Sequence, residues 1–292
     1  MGLLYADLRS LLENSDVEGG AVATLGRLSL YLQPGELRKL QAARPGDASL
    51  RGWCKTYSWG QSSESFFTDV MKAKTVDSID FSDYEGASIV QDLGAPVPEE
   101  LKRRFDLVVD GGTLEHIFDI ATALANVVHL VRVGGSVHIH GVANNQCGHG
   151  FYQFSPELMF RVFSAENGFE PVVLLSKARY VGVQFSGGHK VYKVADPEEL
   201  GERVNLLSKS PVLILVTAKC VKEVEPFAVP ILQSDYAAKW TAAGPAKQGT
   251  AVRLAKFIYK TFPSSVAFHL HGLYQARQAS LRNRKAYTPI WR

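Results

Sequence analysis

Four carboxylates and two imidazoles stand where this chain could do chemistry. Asp80, Asp92 and Asp110 each close a short apolar run, and Glu115 and His116 follow Asp110 closely. A carboxylate that ends a buried strand can accept both hydroxyls of a ribose, as it does in dinucleotide folds. Asp80 could equally cap a turn among Ser78, Ser82 and Asp83, and Asp92 could be loop solvation. The stretch Asn144-Asn145-Gln146-Cys147-Gly148-His149-Gly150-Phe151-Tyr152-Gln153 gathers amides, an imidazole and a phenol. Asn144, Asn145, Tyr152 and Gln153 are the groups that would bind a polar, hydroxylated ligand. His149 is the candidate general base, because an unperturbed imidazole titrates near neutrality. Glu115 and His116 are further catalytic candidates, against a helix-dipole role for the first and packing for the second. Cys147 reads as a bystander.

Elements that end at these residues must position them. Phe105-Asp-Leu-Val-Val and Val137–Val142 are apolar on consecutive residues and rich in β-branched side chains. That pattern suits strands covered on both faces. A helix from about Asp119 to Val131 lies between them, so the three form a right-handed βαβ unit. Ligands sit beyond the carboxyl ends of strands in open sheets, which puts Asp110, Gly111, Glu115, His116 and residues 143–153 on the working edge. Further strands are expected at Ala21–Leu25, Thr75–Ile79, Ser88–Val90, Val172–Leu175 and Val212–Thr217. Helices are expected at residues 3–13, Pro34–Ala43, Ser63–Lys74 and Ser155–Asn167, and a flap over Tyr180–Gly201. The whole predicts α/β, a doubly wound, mostly parallel seven-stranded sheet.

Of 292 residues, 46% are hydrophobic and 21% charged, as in a soluble globular protein. No apolar run nears the ~18 residues that cross a bilayer, and the start of the chain does not read as a secretory signal. Cys54, Cys147 and Cys220 form no Cys-x-x-Cys pair, which argues against a disulfide framework or structural zinc. No metal is expected, and the expected location is cytoplasmic. All 29 acids lie at or before Asp235, whereas ten of the 32 Lys and Arg lie after it. The body is thus net negative and the tail net positive. Arg253, Lys256 and Lys260 alternate there with Leu254, Phe257 and Ile258. Such a tail suits peripheral contact at the inner membrane face, docking on its own acidic body, or a homo-oligomer.

Phe105-Asp106-Leu107-Val108-Val109, Leu114-Glu115-His116, Val133-Gly134-Gly135, Ala143-Asn144 and Ser155-Pro156-Glu157 together resemble the class I S-adenosylmethionine-dependent methyltransferases over roughly residues 20–220. Val133 stands where that family usually has proline. The resemblance implies a Rossmann-like fold and methyl transfer from S-adenosyl-L-methionine to a polar acceptor, such as a sugar, a saccharide chain end or a small metabolite. It implies that Asp80, with Phe81, holds the cofactor's ribose, and that Asp92 and Leu93 contact adenine. Gly26, Arg27, Asp110 and Gly111 complete the implied cofactor set. The first strand ends Thr24-Leu25-Gly26-Arg27-Leu28 with one glycine, and a segment over about 28–61 carrying Trp53, Tyr57 and Trp59 intervenes before the next helix. Aromatic faces attract a sulfonium by about 0.5–2 kcal/mol. The same sequence also fits a non-catalytic scaffold or regulatory subunit with an eroded cofactor loop. Nucleic acid is disfavoured as a partner, since Gly111-Gly112 follows Asp110 in place of an Asn-Pro-Pro-Tyr-like segment. The expected divisions are an N-terminal helix (1–19), the α/β domain (20–220) and a basic C-terminal extension (221–292).

Overall fold

The computed structural model describes residues 2–179, 187–241 and 257–291. In chain order it begins with β1 (Gly2–Leu3), α1 (Tyr5–Asn14), β2 (Ala21–Leu25), β3 (Ser29–Leu30), α2 (Pro34–Ala43) and α3 (Ala48–Thr56). A short turn of π-helix (Phe66–Val70) leads to β4 (Thr75–Asp80) and β5 (Ile89–Val90). Then come β6 (Phe105–Gly111), α4 (Ile120–Leu130), β7 (Val131–Asn144), α5 (Pro156–Val162) and β8 (Phe169–Lys177). The remainder is β9 (Lys190–Val194), α6 (Pro197–Leu200), β10 (Val212–Cys220), α7 (Ser234–Thr241), α8 (Ser264–Gln278) and β11 (Tyr287–Pro289).

One nine-stranded sheet runs β11-β9-β8-β10-β7-β6-β2-β4-β5, and β1 pairs with β3 in a separate two-stranded ribbon. Strands β5, β4, β2, β6 and β7 run parallel to one another. From β10 outward every pairing is antiparallel. The chain leaves β2 for β4 and β5 on one side and returns to β6 and β7 on the other, so strand order reverses between β2 and β6. That reversal creates the crevice in which open α/β sheets place ligands.

Both faces of the sheet are covered. Val108, Val137, Ile139, Ile214 and Val216 pack beneath Leu124 and Val127 of α4 and Met159 of α5. On the other face Val22, Leu107 and Val109 pack beneath Leu8 and Leu11 of α1, Leu40 of α2, and Leu50 and Trp53 of α3. Each such side chain contributes about 1.5–3 kcal/mol on burial. Local signals set the helix starts. The Asp119 side chain accepts the Thr122 N–H before α4, and Ser155 accepts the Leu158 N–H before α5, whose first residue is proline.

All seven expected strands are present, and two more extend the sheet. Lys190–Val194 falls in the segment expected to be a flap, of which residues 180–186 lie outside the described residues. Tyr287–Pro289 belongs to the expected tail and pairs with β9, with Tyr287 fully buried and its hydroxyl donating to the Asn205 carbonyl at 2.8 Å. The helix expected over Ser63–Lys74 ends at Val70, because Lys72 turns the chain with a φ of 62°. The helix expected to reach Asn167 stops at Val162.

The segment at 28–61 forms part of the helical layer. Trp53 is buried and donates from Nε1 to Ser65 Oγ at 3.0 Å, and the Tyr57 hydroxyl donates to the Leu30 carbonyl. Trp59 is half exposed and meets the edge of Tyr31. Packing therefore accounts for the first two rings.

Candidate functional site

The carboxyl ends of β6 and β7 open onto a cleft of about 330 Å³, lined in part by Gly111, Gly112, Glu115, His116, His140 and His149. A larger cleft of about 630 Å³ lies where β8 begins, lined by Phe169 and Glu170 with Arg161, on the end of the sheet away from the strand termini that bind ligands.

Asp110 stands opposite Leu25 across the switch point. It is buried, its Oδ1 accepts the Thr113 N–H at 2.8 Å, and Oδ2 has no partner. Burial, joined by the nearby charge of Glu115, pushes its pKa up to about 8. The carboxyl is therefore harder to ionise than an exposed one, and a cation beside it would favour its charged form.

Glu115 and His116 share a single 3-10 turn, Leu114–His116. Glu115 is buried, with Oε1 at 3.5 Å from His149 Nε2 and Oε2 unpartnered. The rings of His116 and His149 meet at 5.0 Å between centroids. The His149 loop is fastened by the Phe151 N–H, which donates to the Glu115 carbonyl at 2.7 Å. Gly150 has a φ of 72°, and a Cβ there would lie 2.7 Å from that carbonyl oxygen, so only glycine lets the loop approach so closely.

Asp7, on α1, joins the site although it is not among the residues singled out from the sequence. It is fully buried beneath β7, where Oδ1 lies 3.0 Å from His138 Nε2 and Oδ2 lies 2.8 Å from His140 Nδ1. The Leu4 N–H also donates to it at 2.7 Å. His138 Nδ1 continues to Thr217 Oγ1 at 2.9 Å and thence to Ser10 Oγ. Burial opposes ionisation of Asp7, but the His140 charge and the two imidazole hydrogen bonds outweigh it and hold the carboxyl well below the usual range. Burial likewise works against a charged His140, yet Asp7, with Glu115 and Asp110, raises its pKa above the ordinary value. With Nδ1 committed to Asp7, Nε2 is the ring nitrogen left to the cleft that His140 lines.

The structure gathers Asp110, Gly111, Glu115, His116 and His149 at one end of the sheet. Gln146 also lines the cleft. The other amides are engaged elsewhere: Asn144 donates to the Leu206 carbonyl, and Asn145 to the carbonyls of Ser208 and Ser210. Tyr152 donates to the Phe118 carbonyl, and Gln153 Oε1 accepts the Gln146 N–H. Gly26 turns the chain with a φ of 72° and donates its N–H to the Ile79 carbonyl at 2.7 Å. Arg27 is exposed and pairs with Glu64 at 2.9 Å. Asp80 ends β4, half buried, with Oδ1 accepting the Phe81 N–H, and the Phe81 ring is 73% exposed beside it. Asp92 closes an Asx turn onto the Gly94 N–H at 2.7 Å, and Leu93 is buried.

No protein-family model and no curated protein matches the chain. Solved structures resemble it at low identity. A 1,6-didemethyltoxoflavin-N1-methyltransferase from Burkholderia thailandensis, holding 1,6-didemethyltoxoflavin and S-adenosylhomocysteine, is 14% identical with a TM-score of 0.37, over 74% of this chain and 76% of that one. A SAM-dependent methyltransferase from Thermotoga maritima is 13% identical with a TM-score of 0.41, over 75% and 89%. The YcgJ protein of Bacillus subtilis is 12% identical with a TM-score of 0.41, over 75% and 100%.

Proposed function

We propose that this chain transfers a methyl group from S-adenosylmethionine to a hydroxyl of a small polar acceptor or a saccharide end. The observation that carries this is the unpartnered Oδ2 of buried Asp110 at the switch point, opposite the Gly26 turn. A buried carboxyl without a partner is costly, and a ligand ammonium there would restore its charge. Asp80 would hold the ribose, with Phe81 beside the adenine. When bound, the cofactor supplies an electrophilic methyl group on a sulfonium. The acceptor oxygen would take that methyl group, leaving the donor as a neutral thioether, while its proton passes to Nε2 of His140 in the neutral ring form, which is present above its raised pKa. Asp7 fixes the ring for that transfer, as carboxylates orient imidazoles in other bases. His149 and Glu115 face the same cleft.

Asp80→Ala is expected to weaken S-adenosylmethionine binding at least tenfold in isothermal titration, the loss of about 1.4 kcal/mol or more. Binding equal to wild type would remove Asp80 from the site.

The tail supports a second, separate element of this proposal, contact with an anionic bilayer surface. Phe257, Phe262, Phe268 and Leu273 are exposed around α8, in a region that carries no acid. Among the described residues no helix is long and apolar enough to cross a membrane. Exposed aromatics with basic neighbours suit a bilayer interface, each cation adding about 1 kcal/mol. The protein should float with phosphatidylglycerol-containing vesicles and not with phosphatidylcholine alone, and Phe262→Ala with Phe268→Ala should abolish flotation. Equal recovery from both vesicle types, or none, would refute the contact.

A further inference from the structure

We propose that Glu115, His116 and His149 bind a divalent transition-metal ion in the cleft, an assignment that builds on the acceptor side of the methyl-transfer proposal. One oxygen of Glu115 and one nitrogen of each imidazole all lie within 4.8 Å of one another. Donors held about 2.0–2.2 Å from a common ion lie closer together than that bound, so the three side chains would close on the ion as it binds. A second, independent observation points the same way. Glu115 is 1% exposed, yet its Oε2 has no hydrogen-bond partner. Its Oε1 stands 3.5 Å from His149 Nε2, beyond a good charge-assisted hydrogen bond. The geometry is that of a carboxylate awaiting a cation rather than of a completed ion pair.

The ligands also belong to a built frame. Glu115 and His116 ride on one short turn, and the His149 loop is clamped to that turn through the Phe151 N–H. Gly141 widens the site, for a Cβ there would stand 3.8 Å from Glu115 Oε2 and 2.9 Å from the Phe154 ring. Two imidazoles and one carboxylate with further positions open suit Zn²⁺, Mn²⁺ or Fe²⁺ rather than Mg²⁺ or Ca²⁺, which take oxygen ligands throughout. An ion there would face the cleft with vacant positions, and an acceptor offering two adjacent oxygens could fill them. The coordinated hydroxyl would lose its proton more readily, and His140 lines the same cleft to receive it.

The test is a titration of the chelator-treated, full-length protein with Co²⁺, read by visible absorption, and with Mn²⁺, read by electron paramagnetic resonance. One ion per chain is expected, with affinity lowered at least tenfold in both Glu115→Gln and His149→Ala. His269→Ala, on exposed α8, should bind as wild type does. Glu115→Gln is isosteric, and His149 is 42% exposed, so at least one variant should keep the wild-type circular dichroism and melting temperature. Sub-stoichiometric binding, or affinity unchanged in a folded variant, overturns the proposal. S-adenosylmethionine binding measured on the same preparation separates the two proposals. Cofactor without metal rejects this site alone, whereas metal without cofactor rejects the methyl-donor assignment and keeps the ion.

Discussion

Asp7→Ala is expected to cost about 3–5 kcal/mol of stability in urea denaturation, the range for removing one member of a buried ion pair. The substitution strands His138, His140 and the Leu4 N–H, all bonded to Asp7 beneath β7. It also unfastens α1 from the sheet, so the loss should exceed that of any surface change nearby. The pH profile carries the signature. Asp7's carboxyl is depressed, so its contribution is present above the ordinary carboxylate range and disappears only in strong acid. His140 is raised, so its contribution is fully present below about 6.5 and is lost as pH climbs through its folded value. Wild-type stability should therefore decline as pH rises above about 6.5. Asp7→Asn, which keeps hydrogen-bonding capacity without the charge, should flatten that decline. A wild-type profile flat between pH 6 and 9 would show that His140 is not charged in the folded protein.

His140→Gln is expected to lower kcat by about 10²–10⁴, the usual contribution of a positioned general base, while leaving S-adenosylmethionine affinity within twofold. Glutamine can still donate to Asp7, so the α1 anchor survives and the loss reports proton transfer. The acid limb of the wild-type pH–rate profile, where His140 must lose its proton to act, should be absent from the variant. A variant with wild-type kcat would move the base to His149, which faces the same cleft with its ring partly exposed.

The parts of the fold that could be read beforehand are those whose residues see apolar surroundings on both faces. Leu107-Val108-Val109 and Val212–Thr217 are continuous apolar runs because helices cover both sides. The last two strands on the antiparallel side gave no such pattern. Lys190 and Lys193 are exposed in β9 while Val191 and Val194 point inward, and β11 ends in Pro289, tolerable only where no neighbour needs its N–H. Proline on the edge strand β11 discourages further pairing, and the exposed lysines disguise β9 as a strand. Asp110, Glu115, His116 and His149 were legible because they follow a strand end. The Asp7 network was harder, since an acid on an amphipathic helix usually faces water. One sign was available. Asp7 sits on the same stripe as Leu4, Leu8 and Leu11, all buried, and His138 and His140 alternate onto one face of a strand, so a buried pairing could be inferred from period alone. Asn144, Asn145 and Tyr152 have the composition of a recognition loop, but their hydrogen bonds run to backbone carbonyls at 206, 208, 210 and 118. Composition carries no information on that choice.

The central claim is that the crevice between β2 and β6 holds S-adenosylmethionine with its reacting end toward the His140 cleft. A crystal of the full-length protein soaked with S-adenosylhomocysteine tests it most directly. The expected density places the ribose hydroxyls on Asp80, the ammonium within hydrogen-bond reach of Asp110 Oδ2, and the sulfur facing His140. No density in that crevice at millimolar ligand, or a ligand bound elsewhere, would contradict it.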